Sequence, residues 1–228
     1  MQTARIGQAM SSPQRLRALH LLAQRPHTVT DLAERIGESK ASTSAHLKVL
    51  RAACLVADEK RGREVWCRLA SDDVGGLLLS VRTVAEHLLP ELRDLVRQAE
   101  EEPDVLTGVS LRQLERDVKA GRVHLLDLRH ASEFEAGHLP GAESTPLASL
   151  GATELERLRG LSGSGRRGGI VAYCRGPWCL TAKDGVAQLN KAGIPAKRLP
   201  AGVVEWRAQG LALETAQPGL PALECAAE

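Results

Sequence analysis

The sequence predicts two folded units of different class: a mainly α first half closed by a β-hairpin, and a second half in which strands and helices alternate around a parallel sheet. Three observations carry this. Leu-rich helical spacing with explicit caps runs from Ser12 to about Ala53, an alternating pattern around Arg61-Gly62 follows, and beyond residue 110 short continuous apolar runs alternate with helical segments. At 228 residues the chain is long enough to bury two cores. Hydrophobic residues make up 43% and charged residues 25%, as in ordinary globular proteins. No apolar run reaches the ~18 residues of a membrane helix, and Met1 to Ser12 lacks the apolar centre of a signal peptide, so a cytoplasmic protein without a membrane partner is expected.

Ser12-Pro13 is a helix start, with Ser as N-cap and Pro in the first turn, followed by Leu16, Leu19 and Leu22. In "TVTDLAERIG", Thr30 is the expected N-cap, Leu32 and Ile36 share a face, and Gly37 is the stop. Ser39 then caps "KASTSAHLKVLRAA", whose Leu47 and Leu50 point inward while Lys40, Thr43, Ser44, His46 and Lys48 are offered as DNA-contacting groups. "LVADEKRGREVWCRLA" reads as a hairpin with Arg61 and Arg63 at its tip, a wing beside a reading helix. From Lys40 to Arg68, seven basic residues face three acids, a net +4 against +2 for the whole chain. That local charge suits phosphate neutralisation, with small polar side chains left to reach base edges. "DDVGGLLLSVRTVAEHLLPELRDLVRQAEEE" closes the unit as a helix with Asp72 and Asp73 in its first turn and a break or kink at Pro90.

The segment from about Ser12 to Val96, through "SPQRLRALHLLA", "DLAERIGESKASTSAHLKVLRAACLV" and "RGREVWCRL", resembles the ArsR family of winged-helix repressors. The resemblance implies a homodimer that leaves operator double-stranded DNA when an inducer binds, its first and last helices forming the dimer surface. Arsenic-sensing members often carry Cys-x-Cys where this chain has Ser39, Lys40 and Ala41, and of the ligand pairs that zinc sensors place on the last helix only His87 and Glu91 remain. Two ligands do not close a metal site, so none is expected. Cys54 stands at a helix end where Gly would be expected. It and Cys67 read as small buried hydrophobes, with a pair of sensor thiols as the alternative.

The boundaries drawn are 1–100 for this domain, 101–109 for an acidic, Pro-containing linker, 110–217 for the second domain and 218–228 for a flexible tail holding Cys225. Ser110 caps "LRQLERDVKAG", with Gln113 expected to complete a capping box. "VHLLDL", "GGIVAY" and the weaker "AKRL" read as strands buried on both faces, with helices near 149–161 and 180–192. The stretch "IVAYCRGPWCLTAK" therefore puts Cys174 at a strand's carboxyl end and Cys179 at the start of a helix. Backbone N–H groups that converge there would stabilise a thiolate and lower the Cys174 pKa, with Arg175 adding positive charge.

Together with Asp127-x-Arg129, Glu133, "GHLPGA" at 137–142 and the segment Gly202 to Trp206, this loop resembles a single-domain rhodanese, a sulfurtransferase fold. The resemblance implies a persulfide on Cys174, its outer sulfur held by the loop Arg175, Gly176, Pro177, Trp178 and Cys179. Asp127, Arg129, Glu133 and His138 read as supports of that loop. Position 179 departs from the family, whose loops commonly end in Arg, Lys or Thr. A Cys there removes a substrate-holding cation, weakens the case for thiosulfate, and supplies a thiol that could resolve the persulfide as a disulfide or polysulfide. A dimeric repressor taking sulfane sulfur from a persulfide, polysulfide or thiosulfate is thus expected, with no cofactor. The alternative is a sulfurtransferase attached to a repressor domain that answers arsenite or an oxidant separately.

Overall fold

The computed structural model describes residues 2–162 and 169–215, so the expectations for the tail and Cys225 lie outside the described residues. The chain divides into two compact units, one of residues up to Val81 and one beginning at Arg82, within the helix Asp72–Leu88.

The first unit runs α1 (Thr3–Met10), α2 (Pro13–Leu22), β1 (His27–Thr28), α3 (Val29–Ile36), α4 (Lys40–Ala52), β2 (Val56–Arg61), β3 (Glu64–Leu69) and the start of α5 (Asp72–Leu88). Ser12 caps α2 and Ser39 caps α4, each accepting from the N–H three residues on. For α3 the cap is Thr28, not Thr30: Thr28 is extended, pairs with Trp66 of β3, and accepts from the Asp31 N–H, so the helix starts two residues early. Gly37 ends it at φ 78, as a left-handed stop requires. Strands β2 and β3 close around Gly62 and Arg63, with Arg61 opposite Glu64, and β1 adds to β3 on its other side. Leu19, Leu32, Leu47 and Leu50 are fully buried beneath them, each contributing about 2 kcal/mol over exposure. Helix α1 had no counterpart in the sequence reading.

Pro90 splits the closing helix. Leu89 is extended ahead of it, and α6 (Pro90–Glu100) restarts with Pro in its first turn, because the ring excludes helical geometry from the preceding residue.

The second unit continues with α7 (Leu111–Lys119), β4 (His124–Asp127), α8 (Ala131–Ala136), β5 (Ala142–Ser144), a 3₁₀ turn Leu147–Ser149, α9 (Ala152–Ser162), β6 (Ile170–Tyr173), α10 (Leu180–Lys191), β7 (Ala196–Arg198) and α11 (Val203–Ala208). The sheet order is β5-β4-β6-β7, all parallel. Strand residues alternate between two cores. Leu125, Val171 and Tyr173 join Leu114, Leu139 and Trp206 on one face, while Leu126, Ile170 and Ala172 join Leu158, Val186 and Leu189 on the other.

Gln113 does not complete the expected capping box; its amide donates forward to Asp117 at 2.9 Å, while Ser110 caps α7 alone. Within the segment 101–109, Val105 is buried and bridges Arg198 of β7, which the carboxylates of Glu102 and Asp104 also engage. Arg198 is itself buried, and its charge draws these acids onto the sheet edge.

Candidate functional site

Strand β6 delivers Cys174 to the carboxyl edge of the sheet, and the six-residue loop 174–179 hands the chain to α10, with Cys179 as N-cap. Cys174 has no exposed surface, whereas Cys179 is half-buried. Their sulfurs lie 2.6 Å apart, the Cys179 thiol directed at the Cys174 sulfur. The bond to Cys179, and then burial, push the Cys174 thiol well above its ordinary range. The same bond lowers Cys179; burial opposes this, and the Arg175 and Thr181 N–H groups assist it. These directions favour the thiolate at position 179, at the positive end of a 12-residue helix.

Backbone geometry fixes this loop. Gly176 has φ 144, and a Cβ there would meet Glu205 Oε1 at 3.3 Å. A Cβ on Gly202 would lie 2.6 Å from the Cys174 carbonyl oxygen and 2.9 Å from the Arg175 carbonyl carbon, so the start of α11 packs directly on the loop backbone. Glu205 closes that turn by accepting from the Gly202 N–H at 2.7 Å.

Arg175 does not face an open anion site. Its Nε and Nη2 donate to the two oxygens of Glu133 at 2.7 and 2.6 Å. Burial alone would raise the Glu133 pKa, but the Arg175 guanidinium holds it below the usual carboxylate range. Glu133 also accepts from the His130 N–H, capping α8, so a single carboxylate ties loop to helix. Asp127, Arg129 and Tyr173 form a second buried group. Arg129 donates to both Asp127 oxygens and to the Gly137 carbonyl, while the Tyr173 hydroxyl donates to Asp127 at 2.5 Å and accepts from the Leu139 N–H. His138 stacks on Phe134 with ring centroids 3.6 Å apart, its Nδ1 2.8 Å from the Phe134 carbonyl oxygen.

Also within the second unit, the exposed Trp178 donates its indole N–H to Glu86 at 2.9 Å, and Arg82 donates to Glu205 at 2.6 Å while lying 3.5 Å from Glu86. These loop partners, Arg82, Glu86 and Glu205, were not singled out from sequence. Arg82 and Glu86 sit in a helix that carries no motif for this contact, while Glu205 lies within the motif segment Gly202 to Trp206 but was not assigned a role there.

In the first unit, Lys40, Ser44 and Lys48 are exposed along α4 and His46 partly so, but Thr43 is buried with Leu47 and Leu50 on the same face, four and seven positions on. It is placed for packing rather than for reading bases, a correction to its expected role. Arg63 is exposed at the hairpin tip, and Arg61 pairs with Glu59 and stacks over Trp66. Cys54 is exposed at φ 54, a left-handed conformation that explains the expectation of Gly there. Cys67 is buried, 3.3 Å from the Arg51 guanidinium, its thiol pushed up to about 11 chiefly by desolvation. Such a thiol is a poor nucleophile. Among the described residues no cluster of three His, Cys, Asp or Glu side chains could hold a metal, and no helix is long and apolar enough to cross a membrane.

Residues 12–58 match the family described as bacterial regulatory protein, arsR family, and residues 110–209 match the rhodanese-like domain. The HTH-type transcriptional regulator Rv0324 of Mycobacterium tuberculosis is 36% identical over 217 residues, covering 95% of this chain and 92% of its own. The HTH-type transcriptional regulator NmtR of the same organism is 39% identical over 93 residues, 41% of this chain and 78% of its own. Among solved structures, the homodimeric winged helix-turn-helix DNA-binding domain (fragment 1–100) of Mb0332 from Mycobacterium bovis, described as a possible ArsR-family transcriptional regulator, is 34% identical, with a TM-score of 0.38. That match covers 40% of this chain and 83% of that one.

Proposed function

The chain belongs to the ArsR family of HTH-type transcriptional regulators and carries a rhodanese-like domain, and on that premise we propose that it is a homodimeric repressor whose affinity for operator DNA falls when Cys174 takes up sulfane sulfur. The net step is Cys174–SH + R–S–SH → Cys174–S–SH + R–SH. One S–S bond forms as another breaks, and the departing thiolate keeps the electron pair and takes the Cys174 proton. Attack by Cys179 on the Cys174 sulfur would then expel HS⁻ and leave a disulfide, with no external oxidant.

The observation that carries this reading is the dithiol itself: two sulfurs at 2.6 Å on a loop whose one arginine is already engaged by Glu133. A dianion such as thiosulfate finds no free loop guanidinium, whereas a persulfide needs only thiols and N–H donors. Lys40, Ser44, His46, Lys48, Arg61 and Arg63 supply the proposed DNA contacts.

Intact-mass spectrometry after polysulfide treatment tests the chemistry. The wild type gains sulfur or, where Cys179 has resolved the persulfide, loses two hydrogens as the Cys174–Cys179 disulfide, and the Cys174→Ser/Cys179→Ser double variant does neither. A wild type whose mass does not change, or a double variant that changes equally, contradicts the reading.

A further inference from the structure

The two thiols differ in access, in backbone support and in neighbours. Cys174 has no exposed surface, and the start of α11 closes on its backbone at Gly202. Cys179 is half-buried and opens α10, a helix long enough to carry a full set of N-terminal N–H groups. Beside it in sequence stand the exposed Trp178 and Leu180, apolar surfaces that suit the organic part of a small persulfide better than an inorganic dianion. The Cys174 sulfur lies directly beneath, at 2.6 Å. We propose that Cys179 is the entry thiol: it takes the outer sulfur from a small organic persulfide and passes it inward to Cys174, which stores it. This order reverses the roles that chain position suggests, and it rests on the reading of the loop as a sulfane-sulfur site.

The relay balances without an oxidant. The Cys179 thiolate attacks the outer sulfur of R–S–SH, forming Cys179–S–SH as R–S⁻ leaves with the electron pair of the broken S–S bond. The leaving thiolate removes the Cys174 proton and departs as R–SH. The Cys174 thiolate then attacks that same outer sulfur, giving Cys174–S–SH and restoring the Cys179 thiolate. In-line displacement at the outer sulfur requires the two thiol sulfurs to part to twice an S–S bond of ~2.0 Å, a movement within the reach of the two side chains. The preference for a thiolate at position 179 agrees with this order.

Rapid mixing of the full chain with cysteine persulfide, followed by an alkylating quench and peptide mapping, tests the relay. The wild type ends with sulfur on Cys174. Cys174→Ser still acquires sulfur, now on Cys179, while Cys179→Ser loads Cys174 about tenfold or more slowly, since the donor must then reach a thiol with no exposed surface. Limiting iodoacetamide on the reduced wild type, which needs no variant to fold, labels Cys179 before Cys174. Wild-type loading of Cys174 in Cys179→Ser, or first labelling at Cys174, overturns the relay and leaves the sulfur-site reading standing. A wild type that neither takes up sulfur nor forms the Cys174–Cys179 disulfide overturns both.

Discussion

Arg175 presents two guanidinium nitrogens to the two carboxylate oxygens of Glu133, at 2.7 and 2.6 Å, across 42 residues of sequence. The pair neutralises the cation nearest the thiols and anchors the loop to α8. Glu133→Gln should therefore release Arg175 as an anion-binding group. Thiosulfate-dependent sulfur transfer to cyanide is expected to rise relative to persulfide uptake, at a stability cost of about 1–2 kcal/mol. Because the folded Glu133 pKa is depressed, that stabilisation is present above the unfolded carboxylate value near ~4.3 and fades as pH falls through the folded one. A variant with no change in the ratio of the two activities speaks against Arg175 as the withheld cation.

Asp31 gathers Arg25, His27 and Arg35 at 2.6 to 2.7 Å around the entry to α3. Burial opposes its ionisation, but the hydrogen bonds from His27 and Arg35 hold its carboxyl far below the ordinary range. His27 is shifted down, chiefly by its own burial. Both shifts have the same sign, since the unfolded chain binds more protons than the folded one. Stability of the first unit should thus fall as pH drops below about 6.5 through His27, and further below about 4 through Asp31. Asp31→Asn should cost about 1–2 kcal/mol at pH 7 and somewhat less at pH 3, where the unfolded carboxyl has begun to take up its proton while the folded one remains ionised, read from urea titrations at both pH values.

Burial separates the residues of α4 that were grouped as DNA contacts. The Thr43 hydroxyl is buried without a hydrogen-bond partner among the described residues, so Thr43→Val should leave operator affinity intact and hold or raise stability. Lys48 is exposed on the opposite side, and Lys48→Ala should weaken binding to all sequences alike, lowering the salt slope by about 1. Filter binding over a salt series distinguishes the two.

Cys54 is the non-glycine residue at positive φ among the described residues, in a tight exit from α4. Cys54→Gly should stabilise the first unit by about 1 kcal/mol, set against glycine's larger chain entropy. Thermal melts of the two proteins check the sign. An inducer response that survives this change also removes Cys54 from the sensing chemistry.

Much of the fold was legible because strong local signals agree with burial. Ser12-Pro13, Gly37, Ser39 and Pro90 punctuate the helices, and the apolar runs 124–128 and 169–173 became the two central strands. What escaped was short or non-local. The three residues of β5 are all half-buried and carry no run, and α8 and α11 have six residues each, too few to show a period. The cysteine pair was visible as spacing, but which sulfur is covered depends on α11 packing at Gly202. The partner of Arg175 is set by how the parallel sheet brings α8 beside the loop. Thr43 failed as a reading residue because a polar side chain at i, i+4, i+7 with two leucines follows the helix face, not its own chemistry.

The central claim is that sulfur on Cys174 governs DNA release. Electrophoretic mobility shifts with operator DNA, before and after polysulfide, test it in wild type and in Cys174→Ser, with arsenite as a parallel treatment. The wild type should lose binding after polysulfide and regain it on reduction, while Cys174→Ser stays bound throughout and arsenite affects neither. Equal loss of binding in both proteins, or release by arsenite alone, would contradict the claim and favour two halves that answer separate signals.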